Sequence, residues 1–326
     1  MSLEVVRPEV VVIGGGPSGL ATAAAQAGRD VLVIEREGEL GGIPRHCHHP
    51  GFGIRDLHRS LSGPAYAARL AERARAGGAR VWTRAMVTAL GPDRTLAVTT
   101  PQGLRRVEPR VVVLATGARE RPRPARLIAG DRPDGVYTTG QLQQLVHLRH
   151  RSVGERAVVV GAELVSFSAV LTLRAAGCET VLMTSAYARA ESYRLLGVAG
   201  SALLRAPVAT RTRLVRIEGR ERVRSVVLRD ERTGVDRRVE CDTVILTGDW
   251  VPDHELARRA GLEIDPGSLG PVVDMGLRTS TPGVFAVGNL VHPVDTADVA
   301  ALDGAHVATA VMAYLRGGRD ASGTKG

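Results

Sequence analysis

Four residues near the start of the chain have the types and spacing to hold a diphosphate and a ribose. Gly14, Gly16 and Gly19 follow the G-x-G-x-x-G pattern, and Glu35 stands 21 residues after Gly14. The first glycine of such a pattern permits a sharp turn, and the second lets a pyrophosphate approach bare backbone. The third lets a helix pack closely on a strand. A carboxylate at Glu35 would accept hydrogen bonds from a ribose 2′- and 3′-hydroxyl, which argues against a 2′-phosphate at this site. A second chemically able group, His46, Cys47, His48 and His49, follows in a segment rich in Gly, Pro and His. Histidine titrates near neutrality and suits proton transfer or the tuning of a bound redox group. Adjacent side chains rarely converge on one ion, and no carboxylate stands at ligand spacing, so no metal site is expected. A solvated loop that only shapes a pocket is the plain alternative for these four.

These residues need particular elements to position them. Val10 to Ile13 is a short β-branched run typical of a buried parallel strand, and Ser18 to Ala27 is helix-compatible and ends at Gly28. Val31 to Ile34 is a second strand, closed by Glu35. Ala65 to Gly77 reads as a helix, Arg80 to Thr100 as a small antiparallel meander, and Arg110 to Thr116 as a buried strand leading into Gly117. The proline-rich crossing ARERPRPARLIAGDRPDG is a natural boundary. After it the architecture repeats, with a strand at Val158–Val160, a turn at Gly161, a helix from Glu163 to Ala176 and a strand at Thr180–Met183. TVILTG, Thr243 to Gly248, repeats the earlier VVVLATG. The chain then returns to the first architecture, with a strand at Val284–Val287, the pair Gly288-Asn289 and a final helix from about Val299 to Leu315. The tail from Arg316 to Gly326 is expected to be disordered.

The fold class expected is therefore α/β, with two Rossmann-like three-layer domains. One, residues 1–121 and 251–326, is built from both chain ends, and the other, residues 122–250, is inserted. No apolar run approaches the length of a membrane span, and Cys47, Cys178 and Cys241 lie too far apart for a disulfide framework or a cluster site. A cytoplasmic location fits, with Cys178 and Cys241 as small buried hydrophobes. The formal charge of +9 rests on scattered arginines, with Lys325 the single lysine, and no basic run is interleaved with stacking aromatics. Nucleic-acid binding is not expected. The densest cluster, Arg119 to Arg126, is expected on an exposed crossing where it could steer an acidic partner.

In their order along the chain these motifs resemble the two-dinucleotide flavoprotein family of glutathione and thioredoxin reductases. GGGPSGL with Glu35 matches the FAD fingerprint, and LGG the flavin-side loop. VVVLATGA and LTGDWVPDHELARRAGLEID match the two strand-turn signatures, and GVFAVGN the closing flavin motif. The resemblance implies that FAD is held by Gly14, Gly16, Pro17, Ser18, Gly19, Glu35, Arg36, Gly42, Ile43, Val87, Thr116, Gly117, Gly288, Asn289 and Ala297. It also implies that the last helix points its N-terminus at the flavin ring and stabilises negative charge there. Asn289 replaces the family's Asp, but an amide can make the same hydrogen bond. Asp249, Trp250, His254 and Asp303 fall near the flavin-side motifs.

Two departures redirect the functional expectation. The loop after Gly42 carries one cysteine, and the segment before the second repeat carries none, so disulfide reduction is not expected. The second fingerprint, VVVGAELVSF, has Glu163 and Ser166 where glycines should stand, which argues against NAD(P)H. No acid follows Met183, although Arg189 and Arg194 could meet a 2′-phosphate. Within the family the resemblance narrows to the small FAD subunits of heteromeric amino-acid, opine and hydroxyproline dehydrogenases. It implies two partners, a second flavoprotein and a small iron–sulfur protein, and makes His46, Cys47 and His48 catalytic or flavin-tuning residues. The reading is an FAD-dependent oxidoreductase, one subunit of a dehydrogenase that oxidises a small amine, amino acid or hydroxy acid. Its rivals are a free-standing NAD(P)H-dependent flavoprotein reductase and a subunit whose FAD is structural or regulatory.

Overall fold

The computed structural model describes residues 5–189 and 206–317, so Arg194 and most of the C-terminal tail lie outside the described residues. The chain divides into two compact units. The first comprises Met1–Arg45, Pro50–Arg119 and Val251–Gly326, and the second His46–His49 and Glu120–Trp250. The four residues His46–His49, expected with the first unit from their place in the chain, group with the second.

The first unit is built on a five-stranded parallel sheet. Its spatial order is Val284–Ala286, Val111–Leu114, Val10–Ile13, Val31–Ile34 and Arg80–Trp82. The central strands are buried on both faces, as unbroken β-branched runs require. Their residues alternate between two layers. Val10, Val12, Val31 and Val33 face the helical layer with Leu20, Ala23, Val307 and Val311. Val11, Ile13, Leu32 and Ile34 face the opposite layer with Leu90, Leu96, Val98 and Val107. That opposite layer is an antiparallel meander of Met86–Leu90, Leu96–Thr100 and Gly103–Val107, closed by Val5–Val6. The expected meander therefore begins six residues late. Arg80–Trp82 pairs parallel with Leu32–Ile34, and the Glu35 N–H donates to the Trp82 carbonyl at 2.8 Å, so this stretch extends the sheet that carries Glu35.

Three helices form the helical layer of this unit: Pro17–Ala25, Gly63–Ala76 and Ala297–Leu315. Proline in the first turn starts the first two, where its missing N–H costs nothing. The opening and closing helices cross closely because both are small-sided. A Cβ on Gly304 would overlap the Ser18 backbone, and the Gln26 amide donates to the Ala308 carbonyl at 3.2 Å.

The second unit repeats the plan. Its parallel sheet runs Val136–Thr138, Thr243–Leu246, Arg156–Val160, Glu179–Thr184 and Val208–Ala209, and Leu164–Ala175 is the helix after its first turn. Ala157, Val159 and Ile245 face that helix, while Val158, Val244 and Leu246 face an antiparallel meander of Thr212–Gly219, Val223–Asp230 and Asp236–Glu240. No helix among the described residues is long and apolar enough to cross a membrane.

Candidate active site

In the first unit the glycines and Glu35 meet at the carboxyl ends of the central strands, where doubly wound sheets bind their ligands. Gly14 has φ +108°, and its face lies against the Ala115 carbonyl, so only glycine fits the turn. Gly19 lies against the Gly14 carbonyl, which brings helix onto strand. Gly16 is different, because a Cβ there would meet nothing nearer than the Gly42 Cα at 3.9 Å. This is the bare backbone at a helix start that a pyrophosphate needs. Glu35 is buried, and its Oε2 accepts from the Gly15 N–H at 2.7 Å while Oε1 accepts from the Glu37 N–H at 2.8 Å. Two backbone donors fix the carboxylate beside the glycine turn, with lone pairs left for hydroxyl donors.

The remaining first-unit residues continue from this turn. Pro17 is the first residue of the opening helix, and Ser18 lies against Gly288, which has φ +65°. Gly42, φ +59°, brings its backbone beside Gly16, and Ile43 follows it as an exposed side chain. The Asn289 amide donates to the Asp295 carbonyl at 3.0 Å, while its buried Oδ1 has no partner among the described residues. An acceptor held in that way fits a polar group of a bound dinucleotide. Burial pushes the Asp303 carboxyl above its usual range, against the pull of His292 and of a hydrogen bond from the Gly288 N–H. Thr116 donates to the Asp253 carbonyl at 2.8 Å, and the Gly117 carbonyl accepts from the Asp253 N–H at 2.8 Å. Arg36 pairs with Asp253 at 3.1 Å. Val87 sits in the meander opposite Val98, and Ala297 opens the closing helix with its carbonyl 3.3 Å from the Tyr66 hydroxyl. The residues expected to hold FAD thus lie in one unit, and Val87 follows two residues after Ala85, whose N–H donates to the Glu35 carbonyl at 2.9 Å.

Composition and spacing gave no sign of the charged group at the start of the closing helix. Asp298 is buried and accepts from the Thr296 hydroxyl at 2.5 Å, the Arg55 N–H at 3.1 Å and the Val299 N–H at 3.1 Å. The local signal was an acid in a helix's first turn, but its partner Arg55 is distant in sequence.

The second unit's turn is filled from within. Glu163 Oε2 accepts from the Ala162 N–H at 2.8 Å, and Oε1 accepts from the Thr247 hydroxyl at 2.6 Å. Ser166 lies 2.8 Å from the same hydroxyl. A Cβ on Gly161 would meet Glu163 and Ser166 at 2.7 and 2.8 Å, and one on Gly248 would meet Glu163 at 2.6 Å. The carboxylate therefore occupies the ground over both glycines. Behind it Arg126 donates to the carbonyls of Arg121, Thr247 and Gly248 at 2.7, 2.7 and 2.8 Å.

Arg126 also corrects the reading of the Arg119–Arg126 cluster. Arg123 is buried and donates to the Ala129 carbonyl at 3.0 Å. Arg119 pairs with Glu255 at 2.5 Å, and Arg121 with Asp249 at 3.5 Å. These arginines tie down the crossing and are already partnered, so they do not present a free basic patch.

His46, Cys47 and His48 pack with the second unit. The Cys47 thiol donates to the Gln143 side-chain oxygen at 3.3 Å, Gln143 donates to the Ser168 hydroxyl at 2.8 Å, and His49 lies 2.7 Å from that hydroxyl. His48 stacks on His147 with ring centroids 4.1 Å apart. Burial, then the charges of His48, His49 and His150, holds His147 below its ordinary value. Burial pushes the Cys47 thiol up to about 12, so thiolate chemistry is closed to it near neutrality. Any part Cys47 plays in the expected trio is then that of a protonated, hydrogen-bonded thiol. Cys178 and Cys241 are buried, as expected of small hydrophobes.

A model of the pyridine nucleotide-disulphide oxidoreductase family matches residues 8–308. The chain belongs to that family. As a member it is a flavoprotein oxidoreductase, and the glycine turn, Glu35 and Asn289 are residues that fit its FAD. Among curated relatives, an opine oxidase subunit of Rhizobium meliloti (strain 1021) is 26% identical, over 94% of this chain and 71% of its own length. Thioredoxin reductase of Treponema pallidum (strain Nichols) is also 26% identical, over 94% of this chain and 97% of its own. Among solved structures, thioredoxin reductase of T. acidophilum superposes with a TM-score of 0.79 at 19% identity, covering 95% of this chain and 99% of that one. The last comparison carries the fold.

Proposed function

We propose that this chain is the FAD-carrying subunit of a heteromeric dehydrogenase that oxidises a small amine, amino acid or hydroxy acid and passes electrons to a partner. The observation that carries this reading is the Glu163–Thr247 bond, which puts a carboxylate where a second dinucleotide's pyrophosphate would need bare backbone. A nicotinamide donor held by this unit is then not the source of electrons. A lone buried cysteine in the loop after Gly42 leaves no dithiol route for them either. The likeness to a protein named as one subunit of an opine oxidase supports an assembly.

Gly14, Gly16 and Gly19 would receive the pyrophosphate, Glu35 the adenosine ribose, and Asn289 with the start of the closing helix the flavin half. FAD, when bound, supplies a two-electron acceptor; the protein positions it and sets its electrostatics. His46 and His48 are the loop's proton-handling candidates. The partners are a small iron–sulfur protein and a second flavoprotein subunit, and the compartment is the cytoplasm. A second reading, a free-standing NAD(P)H-dependent reductase, draws on the likeness to thioredoxin reductase.

Purification of the untagged native complex tests the proposal. A second flavoprotein is expected to co-elute, and substrate-dependent dye reduction to need both chains. Full-rate turnover by the isolated chain would overturn the subunit reading, and rapid flavin bleaching by NADH or NADPH would favour the second one.

A further inference from the structure

We infer that Asp298 lowers the reduction potential of the bound flavin by opposing the positive end of the closing helix, with Arg55 as its counterweight. The inference rests on the FAD reading above and concerns residues of the first unit alone.

The closing helix crosses the opening helix at Gly304 against Ser18 and at Ala308 against Gln26. Its first turns, from Ala297, therefore lie beyond the start of the opening helix, where the pyrophosphate is received. Gly288 touches Ser18, and Asn289 follows it with a buried Oδ1 that has no partner among the described residues. A dinucleotide with its adenosine half at Glu35 has this segment and this helix start as neighbours of its other half.

The closing helix carries an acid in its first turn. A helix of 19 residues, Ala297–Leu315, presents about half a positive charge at its N-terminus. That end alone would stabilise the negative charge that reduction adds to a flavin. Asp298 sets a full carboxylate into the same turn, held by Thr296, Val299 and the backbone of Arg55. Burial by itself would raise this carboxyl, but the hydrogen bonds from Thr296 and Arg55 and the Arg55 charge hold it below its usual range. It is thus an anion at neutral pH.

Arg55 brings a positive charge 3.6 Å from Asp298 and bonds to the Thr296 hydroxyl at 3.0 Å. Its side chain is 49% exposed, against 7% for Asp298, so water screens the cation more than the anion. Beside them the Tyr66 hydroxyl donates to Asp56 at 2.7 Å and lies 3.3 Å from the Ala297 carbonyl. Asp56 is a second acid, which burial pushes above its ordinary value. Asp298 thus sets a buried carboxylate against the positive end of this helix, with the Arg55 guanidinium on its exposed side. Asp298 acts on the flavin through the field it sets up and is a positioning residue, not a catalytic one.

The test is a spectroelectrochemical titration of full-length holoprotein. Asp298→Asn keeps the shape and removes the charge. It is expected to favour reduced over oxidised FAD tenfold relative to wild type, which raises a two-electron potential by about 30 mV. Arg55→Gln keeps the backbone N–H and is expected to move the potential down. Each variant should retain one FAD per chain. Where Asp298→Asn weakens the helix start and loses FAD, the downward shift of Arg55→Gln still decides the matter. Unmoved potentials, or two shifts of the same sign, overturn the inference while leaving FAD binding intact. A wild-type chain that takes up no FAD removes both readings.

Discussion

The Thr247 hydroxyl donates to Glu163 across 2.6 Å, tying the end of one strand in the second unit to the first residue before the Leu164–Ala175 helix. The bond holds a negative charge over Gly161 and Gly248. Two like charges about 4 Å apart in a partly shielded setting repel by about 4 kcal/mol, close to a thousandfold in affinity. Anaerobic stopped-flow mixing with NADH and with NADPH should leave the flavin spectrum oxidised over seconds. Bleaching at micromolar nucleotide would show that Glu163 moves aside.

Glu35 gives the second prediction. Its carboxylate is already aimed by the N–H groups of Gly15 and Glu37, so little reorganisation is needed when ribose hydroxyls arrive. Glu35→Ala should weaken FAD binding by about 1–3 kcal/mol, the scale of lost charge-assisted hydrogen bonds. Fluorescence titration of FAD into apoprotein measures this. The wild-type protein should release FAD, not FMN, on denaturation.

Alkaline stability provides the third. Burial pushes the Cys47 thiol to about 12, above its ordinary 9.0. A group whose folded pKa is raised contributes stability that is complete below the unfolded value and is lost as pH climbs toward the folded one. Between pH 9 and 12 the folded state should therefore lose stability progressively through this thiol. Urea midpoints should fall with pH in that window, and less steeply in Cys47→Ser, whose hydroxyl does not ionise there.

Arg126 supplies the fourth. Its guanidinium satisfies three carbonyls, and removal leaves buried acceptors without donors. Arg126→Ala should destabilise the protein by about 3 kcal/mol, and the loss should persist in high salt because these bonds are shielded. A variant as stable as wild type would return Arg126 to the role of surface cation.

Much of the framework was legible because it depends on local rules. Glycine spacing, β-branched runs and a terminal acid fix a strand–turn–helix–strand unit within one short stretch, and its second copy could be read the same way. Glu163 could be read too, since a bulky acid in a glycine position announces itself. What was not legible depends on long-range pairing. Arg80–Trp82 looked like the start of a meander because its partner, Leu32–Ile34, is distant in sequence. Arg119 to Arg126 looked like a patch because charge density says nothing of the carbonyls and acids that meet it. Asp298 was overlooked for the same reason, its partner being Arg55 from a different loop.

The grouping of His46–His49 with the second unit has a consequence for modularity. A cut at the two crossings, 119/120 and 250/251, would seem to free a self-sufficient insert. It would instead strip that insert of a stacked ring on His147, a thiol on Gln143 and an imidazole on Ser168. These three contacts are supplied by a four-residue stretch that ends seventy residues upstream of the first cut. Recombination that swaps the insert between relatives must therefore carry this short stretch with it, so the interchangeable cassette is discontinuous in the gene.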